Sequence, residues 1–147
     1  MSLNGLTVVV CTLPIAALCR KWQTLISVAV STLIYGIGFG LYGIAISVFS
    51  TALLTFIWTL GEIIGATNTN VFVAEKSPPE YRSRMNSFIS LCYTAGNFLG
   101  PLIMGALIGT RGLAYVWPVL FAVGGATAVY LLLLWLWTEK KKAIAEI

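Results

Sequence analysis

At 147 residues the chain has the length of one ordinary domain, but 59% of it is hydrophobic, 10% is charged and the mean hydropathy is +0.92. A soluble domain runs at roughly 45–50% apolar and about 25% charged residues, so this supply cannot build a water-facing surface. Histidine is absent and the acids are Glu62, Glu75, Glu80, Glu139 and Glu146, which leaves almost no room for paired-acid, His-based or metal-assisted catalysis and argues against an enzyme.

Long apolar runs separated by short charged or glycine-rich breaks dominate the chain, and a helix needs about 20 residues to cross the hydrocarbon core. Five spans are expected, over about 3–19, 24–41, 44–74, 83–109 and 112–137, giving an all-α membrane protein. A closed β-barrel is disfavoured because the runs are continuous and do not alternate with period two. Cys11, Cys19 and Cys92 lie inside these runs without CxxC or Cys/His spacing and read as small buried hydrophobes. No metal or other cofactor is expected.

The first span, from MSLNGLTVVVCTLP, has no basic residue before its apolar run. It therefore lacks the charged start of a signal peptide, and it reads as though further sequence precedes it. The second span carries no charge and ends in YGIGFGLYG, whose glycines suit tight packing or a turn. It reads as peripheral.

The third span contains one acid, Glu62, with no other charge between Ile44 and Glu75. Thr55, Thr59, Glu62, Ala66 and Thr69 recur at steps of four and three and share one helical stripe. Gly61, Gly65 and Asn68 follow the neighbouring stripe as a GxxxG packing seam. Counting from a boundary near Ala74 at about 1.5 Å per residue, Glu62 lies roughly 18 Å deep, near the middle of a core about 30 Å thick. An ionised group there costs on the order of 3 kcal/mol or more, so Glu62 must face a cavity or a partner, or be protonated. Two readings stay open: a proton-coupling or cation-recognising carboxylate, and a structural acid bonded to a neighbouring helix.

The fourth span repeats the pattern. Asn86, Ser90, Tyr93, Thr94 and Asn97 form a polar stripe, and Gly96 with Gly100 and Gly105 with Gly109 form GxxxG pairs. Pro101 removes one helical hydrogen bond and predicts a bend. Tyr93 and Asn97 read either as cavity lining or as interhelical hydrogen-bonding groups. The fifth span is apolar on every side, ends in Trp135 and Trp137, and is anchored by Lys140, Lys141 and Lys142, so much of it is expected to face lipid.

The basic residues set the orientation. Arg20 and Lys21, then Lys76, Arg82 and Arg84, then Lys140 to Lys142 fall on one side of a five-span chain, and the other side carries Arg111. The net charge of +4 is thus topological and implies no nucleic acid. Segments 20–23, 75–82 and 138–147 are expected in the cytoplasm, with the C-terminus inside and the N-terminus outside.

These features resemble eighth to twelfth helices of the major facilitator superfamily, the carboxy-terminal half of a drug-efflux-like transporter. GEIIGATNTNVFVAEKSPPEYRSRMNSF carries the most specific likeness, to the tenth helix, a short cytoplasmic loop and the start of the eleventh. Glu75, Pro78, Pro79, Glu80, Arg82 and Arg84 fit the loop pattern, while Ser83 stands where glycine is common. NGLTVVVCTLPIAALCRKW is similar to the eighth helix, although Cys19, Arg20 and Lys21 keep only the basic end of the longer loop motif. GNFLGPLIMG, with Gly96, Gly100, Pro101 and Gly105, resembles the glycine-proline antiporter motif of the fifth helix, without its upstream glycine because Ser87 occupies that place.

The resemblance implies five helices of a six-helix carboxy-terminal bundle in a twelve-helix fold, in the plasma membrane. It implies that the third and fourth spans border the pathway, that the second and fifth are outer, and that the amino-terminal half and seventh helix are missing. The expected function is proton-coupled efflux of a hydrophobic or cationic small molecule, with Thr59, Glu62, Thr69, Tyr93 and Asn97 as substrate or proton-coupling residues. The isolated chain is expected to be inactive, since alternating access rocks two bundles about one site. The alternative is a non-transporting subunit that packs against another membrane protein.

Overall fold

The computed structural model describes residues 2–145, with side chains through residue 141, so the expected anchoring by the Lys142 side chain and the end of the expected cytoplasmic segment 138–147 lie outside what is described. Its helices are α1 (Ser2–Cys19), α2 (Thr24–Gly40), α3 (Val48–Lys76), α4 (Arg82–Arg111) and α5 (Val116–Ala145). No strand occurs among the described residues, and all five segments are long and apolar enough to cross a membrane.

Local sequence fixes the boundaries. Helix α2 has 17 residues, but a 3-10 turn over Leu41–Ile44 extends the apolar segment to 21, enough to cross the core. Helix α3 starts at Val48, four residues beyond the expected 44, because Ser47 and Ser50 form a reciprocal capping box. The Ser50 amide donates to Ser47 Oγ at 3.1 Å and the Ser47 amide to Ser50 Oγ at 3.0 Å. Helix α4 runs on through Pro101 and stops at Gly112, whose φ of 89° and ψ of 164° suit glycine alone. Helix α5 continues past the expected 137 into the lysine-rich segment.

Packing overturns the expectation that the second span is peripheral: α2 lies between α3 and α5. Small residues on two of its faces explain the placement. Toward α3, Ser27 and Ser31 are almost fully buried, and a Cβ at Gly61 would stand 3.0 Å from the Ser31 carbonyl oxygen. Toward α5, Gly36 meets Gly124 so closely that a Cβ on Gly124 would lie 2.6 Å from the Gly36 Cα. Without a hydrophobic drive between helices in lipid, such close backbone approach is what holds them together. The absence of charge marks α2 as apolar, and in lipid an apolar helix can stand at the centre of a bundle as readily as outside it.

Helix α1 packs on α3. Helix α5 gives one face to α2 and leaves much of its apolar surface exposed, as expected of a lipid-facing helix. Helix α4 differs from the rest: it has no buried residue, and a Cβ at Gly96, Gly100, Gly105 or Gly109 would meet nothing within 4 Å. Its glycine seams, expected to pack, face open space because α4 stands away from its neighbours along most of its length.

Two hydrogen bonds gather one end of the bundle. Thr24 Oγ1, at the start of α2, donates to Glu75 Oε2 near the end of α3 at 2.7 Å, and Trp135 Nε1 on α5 donates to Gln23 Oε1. The start of α2 and the ends of α1, α3 and α5 therefore meet at the end that carries Arg20, Lys21, Lys76 and Lys141. At the opposite end Phe39 and Trp58 stack with centroids 4.9 Å apart, and Tyr42 and Trp117 at 5.6 Å.

Candidate transport site

Glu62 is half-buried on α3 and reaches two environments. On the α1 side, Asn4 Nδ2 donates to Glu62 Oε2 at 2.8 Å and to Thr59 Oγ1 at 3.1 Å. The assignment of that amide follows from its partners. A carboxylate can only accept, and the Thr59 hydroxyl already spends its proton on the Thr55 carbonyl at 2.6 Å, so both groups need the two amide hydrogens of Asn4. Thr59 is fully buried in this arrangement.

On its other side Glu62 lines a cavity of about 460 Å³ shared by α2, α3 and α4, within the range of small-molecule sites. Tyr35 and Ser31 come from α2, Thr69 and Asn70 from α3, and Tyr93 from α4. Tyr35, Glu62 and Tyr93 line the same cavity, so an acid and two phenols converge on one space. Such a wall can take a ligand with positive charge and apolar bulk: the carboxylate offers charge, and the two phenols offer aromatic surface and hydrogen bonds.

The expected site residues therefore separate. Glu62, Thr69 and Tyr93 share the cavity, whereas Thr59 lies behind Glu62 as an acceptor for Asn4. Asn97 departs from the expectation: it is exposed and borders a shallow groove of about 310 Å³ on α4 with Cys92 and Gly96. Tyr93, one helical turn before it, lines both this groove and the cavity. The packing glycines separate too, since Gly61 and Gly65 close on Ser31 while Gly96, Gly100 and Gly105 touch nothing.

Sequence reasoning missed Asn4, Ser31 and Tyr35. A polar amide in the first turn of an otherwise apolar span was a usable signal for Asn4. Tyr35 was hidden by the glycines around it, which read as a turn.

The loop residues take structural partners. Glu75 accepts from Thr24, and Arg82 Nε donates to the carbonyl of Ser77, the residue that caps α3, at 3.3 Å. The Arg84 guanidinium lies 5.8 Å from the Tyr81 ring centroid. Pro78 precedes and Pro79 opens the 3-10 turn Pro79–Tyr81, where Glu80 is exposed. Among the described residues no His, Cys, Asp and Glu cluster could hold a metal, and the three cysteines are free.

Five membrane-length helices, three of which line a cavity that holds a carboxylate, define a multi-pass membrane protein. The family model for the Major Facilitator Superfamily matches residues 1–146, and the chain belongs to that superfamily of membrane transporters. No curated protein and no solved structure matches it.

Proposed function

We propose that the chain forms the carboxy-terminal pathway wall of a proton-coupled transporter that exports hydrophobic or cationic small molecules across the plasma membrane. Glu62 is the proton carrier and cation anchor, Tyr93 and Thr69 line the substrate space, and an amino-terminal helical bundle supplies the opposite wall. The basic end of the bundle faces the cytoplasm. The observation that supports this reading best is the convergence of Glu62, Tyr35 and Tyr93 on one cavity, with the sequence estimate putting Glu62 roughly 18 Å deep at about 1.5 Å per residue. An acid at that depth is costly unless it faces such a space. In this scheme Arg82 holds the end of α3 in one state of the cycle and releases it in the other.

The test is Glu62→Gln in the full-length transporter, reconstituted with a pH gradient. Export falls at least tenfold and what remains loses its pH dependence. An undiminished rate with unchanged pH dependence removes the coupling role. In-frame DNA upstream of Met1 encoding about seven further spans supports the two-bundle arrangement.

The glycine seams of α4 favour a second reading. Open space along Gly96, Gly100, Gly105 and Gly109 fits a non-transporting subunit that packs against another membrane protein. A promoter and ribosome site immediately before Met1 supports that alternative.

A further inference from the structure

We infer that Asn4 is the positioning residue for Glu62: its amide holds one carboxylate oxygen against α1 and so restrains the carboxylate at the α1–α3 seam, at the edge of the cavity. The inference rests on the proton-carrier reading of Glu62 and adds to it the group that decides where the carboxylate points.

The geometry is specific. Asn4 and Glu62 lie at the same level, since at ~1.5 Å per residue each is roughly 21–23 Å from the basic end of its helix. The two helices run parallel from that register, so the pairing needs no distortion of either. Asn4 Nδ2 is 2.8 Å from Glu62 Oε2 and 3.1 Å from Thr59 Oγ1. Both amide hydrogens are thus committed, one to the acid and one to a fully buried hydroxyl on the preceding turn. Thr59 cannot release Asn4 by rotating, because its own hydroxyl is tied to Thr55 at 2.6 Å. The result is a rigid donor behind a carboxylate whose other oxygen has no hydrogen bond among the described residues.

A donor of this kind has a mechanistic consequence. The ionisable groups facing Glu62 from the packed elements are Tyr35 on α2 and Tyr93 on α4, while α1 presents the neutral amide of Asn4. A charge-assisted hydrogen bond is short and directional, so Glu62 is held at the α1–α3 seam as long as α1 stays in register. Sliding or tilting of α1 by more than about 1 Å breaks it and frees the carboxyl to turn into the cavity. Helix movement and the exposure of the proton-carrying group are then one event.

The experiment uses the full chain in lipid nanodiscs and reads modification of Glu62 by dicyclohexylcarbodiimide, a probe for protonated carboxyls inside membranes, by peptide mass spectrometry. Four variants are compared with the parent: Asn4→Leu removes the donor at similar volume, Asn4→Gln restores one, Thr7→Val alters the buried hydroxyl of α1, and Glu62→Gln is the blank. Labelling of Glu62 rises at least fivefold in Asn4→Leu, returns to within twofold of the parent in Asn4→Gln, and is unchanged in Thr7→Val. Equal labelling in the parent and Asn4→Leu overturns the positioning role but leaves the proton carrier standing, as does an equal rise in Thr7→Val, which would mean a merely loosened helix. No labelling of Glu62 in any variant overturns both. Circular dichroism and tryptophan emission identify any variant that fails to fold, and Thr59→Val, which removes the second acceptor, then serves in place of Asn4→Leu with an expected rise of at least twofold.

Discussion

Replacing Gly124 with alanine tests the central position of α2 most directly. A Cβ at Gly124 would lie 2.6 Å from the Gly36 Cα, 3.0 Å from the Gly36 nitrogen and 3.3 Å from the Thr32 carbonyl oxygen. All three contacts are backbone, so no side chain can swing aside and α2 and α5 must separate. Overpacking of this kind costs about 1–3 kcal/mol. The usual helix-propensity gain of alanine offsets little of that, because the unassembled helices stay helical in a bilayer. The neighbouring Gly125 supplies the control, since a Cβ there would meet nothing within 4 Å. Unfolding of each variant in mixed micelles of mild and denaturing detergent, followed by tryptophan emission, should place Gly124→Ala below the parent by a factor of about 5–150 in the folding equilibrium, with Gly125→Ala at the parent's value. Coincident curves for the two alanine variants would refute the α2–α5 seam and return α2 to the periphery.

Two further outcomes follow from local geometry. Gly112→Ala places a side chain at φ 89° and ψ 164°, a region open to glycine alone, and should lower stability by about 1–3 kcal/mol in the same unfolding assay although nothing crowds the position. Tyr42→Phe breaks a relay in which Trp58 Nε1 donates to the Tyr42 hydroxyl at 3.1 Å and that hydroxyl bonds Thr55 Oγ1; it should cost about 1–2 kcal/mol and shift tryptophan emission, and an unchanged spectrum would sink the relay.

The number of helices and the isolation of Glu62 were legible in the sequence because both depend on composition alone. A run without charges is a span, and a lone acid inside one is conspicuous. Which helix sits at the centre was not legible by the same rule. Polarity points to cavities, but contact between helices in lipid depends on small residues on two faces, and in α2 these are Ser27 and Ser31 on one face and Gly36 on another. The α4 glycines show the converse limit, since Gly96 and Gly100 have the packing spacing and no neighbour within 4 Å.

The threonine stripe of α3 shows how a correct pattern conceals a division of labour. Steps of four and three average 3.5 residues, slightly less than the helical 3.6, so the stripe drifts around the axis as it descends. Thr59 and Thr69, ten residues apart, differ in direction by about 80° at roughly 100° per residue. That turn is enough to aim Thr59 at Asn4 on α1 and Thr69 at the cavity shared with α2 and α4. Glu62 falls between them in angle, within about 60° of Thr59 and 20° of Thr69 on the same scale, and it is the stripe member that both bonds α1 and lines the cavity. A stripe of strict 3.6 period would have pointed every member at one partner; the drift is what lets a single carboxylate join a helix seam to a transport space.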